Sequence, residues 1–499
     1  MRFPVGLVLA AFAAAMSSSA GADDIGAAAR GVVRIIVASK DYSDPENSSV
    51  GFGSGFAISP HHIVTNAHVV EAAQNPYADT VVAIVPSEGR RALTGVVIAY
   101  DSVRDLAIID VGDTRLEPLA IYSGPVDAGQ HSAALGYPGN VDRATVESMY
   151  DLITPTAPVR AEGNVSGQRR IEGTPALLHT APISRGNSGG PLVDECGRVL
   201  GINTYTAVTA SGDSPFGFAV VSQELMSFLH EHGEHFQQVG TACISMAALA
   251  QREQQSRETA AREEAAARER GEKAQERRET LAKGMIQESR ENHAVTSALL
   301  AVLAVVAGAF GSVLFFKDRE RPAAAAGSVA ALALAGAAFA FFSRPSLDVN
   351  LTPVTDSVSA AAVPVSGKLV CQVQPDRSRI TVSSSEDLPI TWEANGCMNG
   401  RTQYVQEDGL WRRVLVPNGT ETVYLQEFDA SKGEYVSTRY LLDQPDMTRL
   451  RDLRGNLTSK SCTADSIALH GLEKTTETLI ASLPARSNEK LVYHCQPSS

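Results

Sequence analysis

Arg185-Gly186-Asn187-Ser188-Gly189-Gly190-Pro191-Leu192-Val193 is a glycine-rich turn that runs into an apolar strand. Glycines permit a tight backbone that aims amide hydrogens at one point, so the Gly186 and Ser188 N–H groups can hold a developing oxyanion. Ser188, in the middle of the turn, is a weak nucleophile alone and needs a base. Upstream, Gly53-Ser54-Gly55-Phe56-Ala57-Ile58 leads through Pro60-His61-His62 into Ile63-Val64-Thr65-Asn66-Ala67-His68-Val69-Val70, which delivers His68 to a strand end. A neutral imidazole takes a proton near physiological pH when a carboxylate holds its other ring nitrogen. Asp105, at the mouth of the apolar run Leu106-Ala107-Ile108-Ile109, is the candidate carboxylate, with Asp101 and Asp110 as local competitors. The three side chains together point to acyl transfer to water, through an acyl-enzyme on Ser188.

Working outward, residues 25–233 form short Val- and Ile-rich runs broken by Gly, Pro, Asn and Asp, which predicts many short strands in a barrel or sandwich. The quoted segments, in the order His68, Asp105, Ser188, resemble the trypsin-like serine proteases of chymotrypsin fold, and among them the HtrA/Deg branch. The likeness runs from about Val32 to Phe228 and takes in Leu135-Gly136-Tyr137-Pro138-Gly139, Gly163-Asn164-Val165-Ser166-Gly167 and Gly217-Phe218-Ala219-Val220. It implies an all-β catalytic domain of two six-stranded β-barrels, with His68 as general base, Asp105 as its orienting acid, Ser188 as nucleophile, and Gly186 with Ser188 as oxyanion donors. It also implies peptide-bond hydrolysis without a metal or organic cofactor. Pro182 stands six residues before Ser188, where trypsin-like enzymes that select basic residues carry an acid, so a small or aliphatic residue is expected before the scissile bond. HtrA proteins usually continue into PDZ domains, and this chain does not, so peptide-triggered PDZ regulation does not carry over.

The chain has 499 residues, enough for about three domains. Its formal net charge of -13 argues against a surface built to neutralise nucleic-acid phosphates. Arg2, the apolar run Val5 to Met16 and the small residues Ala20-Gly21-Ala22 read as a secretory leader over 1–22, with a mature start near Asp23. After a protease domain at 23–245, residues 246–293 are rich in Glu, Arg, Gln and Ala, and pairs such as Glu258 with Arg262 and Glu269 with Lys273 place acid four residues before base. That spacing predicts a solvated helical rod. The charge-free stretches 294–316 and 323–342 have spanning length, and the connector 317–322 between them forces an antiparallel transmembrane hairpin. Its Lys317, Arg319 and Arg321 predict a cytoplasmic tip, which puts both large soluble parts on the periplasmic side of a bacterial inner membrane. Gly308, Gly311 and Gly327 allow close packing of the two helices or self-association into a homo-oligomer.

A linker at 343–365 leads to an extracytoplasmic, β-rich domain at 366–499 whose ligand the sequence leaves unnamed. In an exported chain its four cysteines are expected to pair locally, Cys371 with Cys397 and Cys462 with Cys495, and Cys196 with Cys243 forms a third candidate disulfide, with two buried free thiols as the alternative. His230-Glu231-His232-Gly233-Glu234-His235 misses the His-Glu-x-x-His spacing of zinc proteases and reads as a solvated helix end. The expected function is a membrane-anchored serine endopeptidase acting on exported, unfolded polypeptides, with envelope quality control implied by the resemblance. The competing expectation is an envelope sensor or scaffold whose protease-like domain mainly binds partners.

Overall fold

The computed structural model describes residues 23–41, 49–89, 91–207, 216–317, 320–345, 366–383, 386–455 and 461–498. The expected leader at 1–22 and most of the linker at 343–365 lie outside the described residues. Strands β1 (Val32–Asp41), β2 (Ser49–Ala57), β3 (His62–Thr65), β4 (Ala78–Pro86), β5 (Leu93–Asp101) and β6 (Leu106–Asp110) close a barrel in the order β1-β2-β3-β6-β5-β4. Alternating Val and Ile residues turn Val33, Ile35, Ile63, Ile84 and Ile109 into one sealed interior. After β7 (Ile121–Tyr122), a second ring follows: β8 (His131–Gly136), β9 (Val159–Ile171), β10 (Thr174–His179), β11 (Pro191–Val193), β12 (Val199–Thr206) and β13 (Gly217–Val221). It runs β11-β8-β9-β10-β13-β12 and closes because β11 pairs with both β8 and β12. The two six-stranded barrels are as the resemblance implies. The helix Ser222–Glu231 caps them by burying Leu225, Phe228 and Leu229 in a core shared with Phe56, Leu106 and Ile121.

The charged stretch and the first apolar span form one continuous helix, Met246–Phe315, which Gly271 and Gly284 do not interrupt. At 1.5 Å per residue its 70 residues reach about 105 Å. A second helix, Glu320–Phe342, follows, and both are long and apolar enough to cross a membrane. Small residues bring the pair together: a Cβ on Gly311 would lie 3.3 Å from Ala326 Cβ, and Ser297 Oγ donates to the Ala337 carbonyl at 3.1 Å.

The C-terminal part is a nine-stranded antiparallel sheet in which the first strand, Gly367–Val373, pairs with the last, Glu489–Pro497. One face buries Trp392 against Tyr404, Trp411 and Phe428. The other is covered by the helices Gln444–Arg454 and Ser466–Ala481, whose Met447, Leu450 and Leu479 meet Val414, Val423 and Tyr440. The domain is β-rich as expected, and these two helices add to it. Each starts on an aspartate cap, Asp443 and Asp465, and the first also carries a proline in its opening turn. The disulfides correct the local pairing: Cys371 joins Cys495 and Cys397 joins Cys462. Cys371 and Cys495 stand opposite each other in register because the ends of the domain are neighbouring strands. Cys196 pairs with Cys243, the disulfide of the two alternatives.

The barrels and the C-terminal sheet form one compact unit. Ala120 and Val239 of the barrel region sit in the same core as Leu369, Ile380, Tyr435 and Tyr493. Beside it Arg379, 3% exposed, donates to the Ile244 carbonyl at 2.6 Å, to the Asn488 carbonyl and to the Asp24 carboxylate. Asn488 Nδ2 donates to the other Asp24 oxygen at 2.7 Å. Burial holds the Asp24 carboxyl above its ordinary value, while Arg379 and Asn488 pull it down. Removing one partner leaves an uncompensated buried charge, so Arg379→Met should lower the unfolding free energy of the full chain by about 3–5 kcal/mol in urea titration. Asp24→Leu combined with Arg379→Met should recover most of it, and an equal loss in both variants would show that packing, not charge, carries the effect.

Candidate active site

His68 lies in the one-turn 3₁₀ helix Ala67–Val69 that follows β3, and Asp105 stands at the start of β6, which pairs with β3. This adjacency brings the two together: His68 Nδ1 is 2.9 Å from Asp105 Oδ2 and 3.0 Å from Oδ1, and the His68 main-chain N–H donates to Oδ1 at 3.0 Å. With Nδ1–H on the carboxylate, Nε2 is the basic nitrogen. The His68 side chain is 41% exposed and that of Asp105 12%, an open base on a sheltered acid. Asp105 has φ +55°, a conformation that Asp tolerates better than most residues, and the Asn66 side chain fastens its carbonyl at 2.8 Å. Asp101 instead pairs with Arg104 at 2.6 Å, and Asp110 accepts from Gly112 N–H, so neither competes.

Thr204, at the end of β12, joins this pair to the nucleophile candidate. Its hydroxyl donates to Asp105 Oδ2 at 2.5 Å, and its carbonyl accepts from Ser188 Oγ at 3.2 Å. The three expected side chains are therefore gathered round one threonine. With its hydroxyl on that carbonyl, Ser188 has to redirect its proton before His68 can accept it.

The main chain around Ser188 is held from behind. Gly139 N–H donates to the Arg185 carbonyl at 2.8 Å and Gly190 N–H to the Asn187 carbonyl at 3.0 Å. In a trans peptide the N–H points opposite to the C=O, so these two anchors turn the Gly186 and Ser188 amides the other way. Gly186 has φ +100°, and a Cβ there would meet the Tyr137 carbonyl at 2.3 Å. At Gly189, φ +86°, a Cβ would fall 2.2 Å from both the Ser54 carbonyl and Thr65 Oγ1. The Gly186 and Ser188 N–H groups thus point away from these anchors, on a turn that only glycine can make at 186 and 189.

Two residues with supporting roles carried no sequence signal of their own. Thr204 is an ordinary strand threonine. Ser54 was visible only as part of a Gly-Ser-Gly run, yet it is fully buried, donates from Oγ to the Gly186 carbonyl at 2.6 Å and accepts from Tyr137 N–H at 2.9 Å. Among the described residues no group of three or more His, Cys, Asp or Glu is arranged to hold a metal ion. In the 230–235 cluster Glu234 is engaged by His62 at 2.6 Å and His232 by the Phe228 carbonyl at 2.9 Å.

On β10, His179 is fully buried, and among the described residues neither ring nitrogen is in a well-formed hydrogen bond, although the Ala181 backbone and the Asn203 side chain lie beside it. Gly217, opposite it on β13, leaves room for the ring, since a Cβ there would touch it at 2.3 Å.

Residues 53–202 match the family model of the trypsin-like peptidase domain. A serine protease of Mycobacterium tuberculosis, Rv3671c, is 32% identical over 203 residues, which is 40% of this chain and 47% of that one. A probable periplasmic DegP-like serine endoprotease of Halomonas elongata is 31% identical over 170 residues, 34% of this chain and 32% of that one. The chain thus spans under half the length of these curated relatives. The crystal structure of the Rv3671c protease in its active form is 26% identical and covers 45% of this chain and 94% of that one, with a TM-score of 0.33.

Burial depresses the His179 imidazole from 6.5 to about 4. Between those values the unfolded chain binds a proton that the native one does not, so stability falls as pH drops through this window, by about 3 kcal/mol in total at 1.36 kcal/mol per unit. Urea midpoints measured from pH 7 to 4 should show a shallower decline for His179→Gln, and parallel curves would remove His179 as the cause.

Proposed function

We propose that this chain, whose barrels are a trypsin-like peptidase domain related to the HtrA/Deg serine proteases, is a membrane-anchored serine endopeptidase that cleaves exported, unfolded polypeptides. The observation that carries it is the His68–Asp105 pair sharing Thr204 with Ser188. In this mechanism Ser188 rotates toward Nε2, His68 takes its proton, and Oγ attacks the peptide carbonyl. The Gly186 and Ser188 amides stabilise the oxyanion, and Asp105 stabilises the imidazolium. His68 then gives its proton to the leaving amine, and water attacks the acyl-enzyme by the same route in reverse. The absence of an acid at Pro182 favours a small or aliphatic residue before the cleaved bond.

Placement at the periplasmic face of an inner membrane is supported by two observations. Two apolar helices of spanning length separate the barrels from the C-terminal sheet in sequence. Yet Arg379 and Asp24, one from each side of them, form a buried pair, which requires both soluble parts to share a compartment. A hairpin with its basic connector in the cytoplasm meets that requirement. A role in envelope quality control, with unfolded exported proteins as substrates, is the corresponding physiological proposal.

The bond from Ser188 Oγ to the Thr204 carbonyl favours a second reading, a sensor or scaffold that holds polypeptides without cutting them. Full-length protein and Ser188→Ala, each given an unfolded polypeptide, separate the two. The peptidase reading expects a rate loss of at least about a thousandfold. It also expects Thr204→Val, which takes a donor from Asp105, to lower kcat roughly ten- to a hundredfold with KM little changed. Binding of the polypeptide with no Ser188-dependent cleavage would establish the scaffold instead.

A further inference from the structure

A cavity of about 480 Å³ opens where the barrels meet the C-terminal sheet. Ile58, Leu119, Phe236 and Leu441 give it an apolar side. Its polar side takes Arg30 and Glu117 from the barrel region and Thr420 and Glu421 from the C-terminal domain. Three buried atoms there have no hydrogen-bond partner among the described residues: Arg30 Nε, Thr420 Oγ1 and Glu421 Oε2. Several neighbouring atoms are already engaged. Glu117 Oε1 accepts from Glu421 N–H at 3.1 Å, and Glu421 Oε1 faces Arg451 at 3.5 Å. Asp24 is held by Arg379 and Asn488, and Arg439 by Glu489 at 3.3 Å.

The charges in this space are poorly solvated and of both signs. Burial lowers the Arg30 guanidinium and raises the Glu117 carboxyl, while Glu88, Glu421 and Asp443 add to the acid surplus around Arg30. A guanidinium N–H needs an acceptor and a carboxylate oxygen needs a donor. A simple anion satisfies only the first and meets four acids. A metal cation satisfies only the second and meets Arg30. A molecule carrying an ammonium and a carboxylate satisfies both, and the apolar side accepts its side chain. The volume lies within the range of small-ligand sites, which favour domain boundaries.

We propose that this interdomain cavity binds an α-amino acid or a short peptide with free ends, its carboxylate on Arg30 and its ammonium on Glu421 and Glu117, with the Thr420 hydroxyl between them. Such a ligand touches both domains at once, so it binds the docked form and stabilises it by mass action. None of these residues belongs to the peptidase constellation, and the inference does not rest on that activity.

The test uses the full chain in detergent, carrying Ser188→Ala so that no probe is consumed, with calorimetry and thermal melting as readouts. The probes are L-leucine, the tripeptide Leu-Ala-Ala, and the same tripeptide N-acetylated or C-amidated. Saturable binding and a raised Tm are expected with one or both free-ended probes, either size falling within the class proposed. Each cap should weaken binding by about tenfold or more, as should Arg30→Gln and Glu421→Gln. Should Arg30→Gln fold poorly, Thr420→Val and Glu421→Gln, at partly exposed positions, carry the comparison. No Tm shift at millimolar probe, equal binding of the capped tripeptides, or binding unchanged in these variants would overturn the proposal.

Discussion

Ser54 sets the relation between the two barrels on which the site depends. Its side chain belongs to β2 of the first barrel, yet its hydroxyl donates to the Gly186 carbonyl and accepts from Tyr137 N–H, both in the second. Its main-chain N–H donates to the Ser188 carbonyl at 2.9 Å, and its own carbonyl accepts from Thr65 Oγ1 at 2.7 Å. One buried residue thus ties the strand leading to His68 to the turn that carries Ser188. Each bond has a small net contribution, about 1 kcal/mol, but leaving such a buried group unpaired costs more than making it gains. The arrangement is therefore specified chiefly by what any displacement would leave unsatisfied. The missing Cβ at Gly189 is part of the same constraint, because Ser54 and Thr65 occupy the space it would need.

A second constraint joins residues far apart in the chain. The barrels end before the long helix, and the C-terminal sheet begins after both apolar helices, yet Ala120 and Val239 share a core with Leu369 and Tyr493. Arg379 adds a charged tie that reaches Asp24 and the Ile244 carbonyl beside the Cys196–Cys243 disulfide. Desolvating both charges offsets much of their attraction, so the pair contributes less to net stability than its disruption would remove. Its effect is to select one docked arrangement, in which Arg379 and Asn488 of the C-terminal domain both engage Asp24. The C-terminal domain is consequently part of the folded unit that contains the site.

The parts legible in the sequence were those whose physical requirement is local. Glycine at positions 186 and 189 announced a turn that no other residue can form, and the runs before His68 and after Asp105 announced strand ends. Alternating apolar strands then implied closed barrels. What stayed hidden depends on contacts across the fold. Nothing in Asn203-Thr204-Tyr205 signals that its threonine holds Asp105, because a strand threonine is usually a matter of β propensity. Cys371 and Cys495 pair across 124 residues because the terminal strands of the domain are neighbours, a fact of topology and not of spacing. The helix Gln444–Arg454 had a readable start in Asp443 and Pro445, but its apolar face is short and merged with the surrounding strand pattern.

The node at Thr204 shows how these two kinds of information combine in the site. Its hydroxyl gives Asp105 a second side-chain donor besides His68, which restrains the carboxylate. Its carbonyl, one bond system away, accepts the proton of Ser188. A carbonyl can accept that hydrogen bond but cannot remove the proton, so the serine held there is unreactive until it turns to Nε2. Exchanging that hydrogen bond for one to Nε2 would trade one neutral hydrogen bond for another, a difference of about 1 kcal/mol or less. On the proposed mechanism, a substrate in front of the Gly186 and Ser188 amides would need to supply only that much to bring the hydroxyl round. In that mechanism the carboxylate-bound imidazole is the fixed part of the site and the Ser188 hydroxyl the part that has to move.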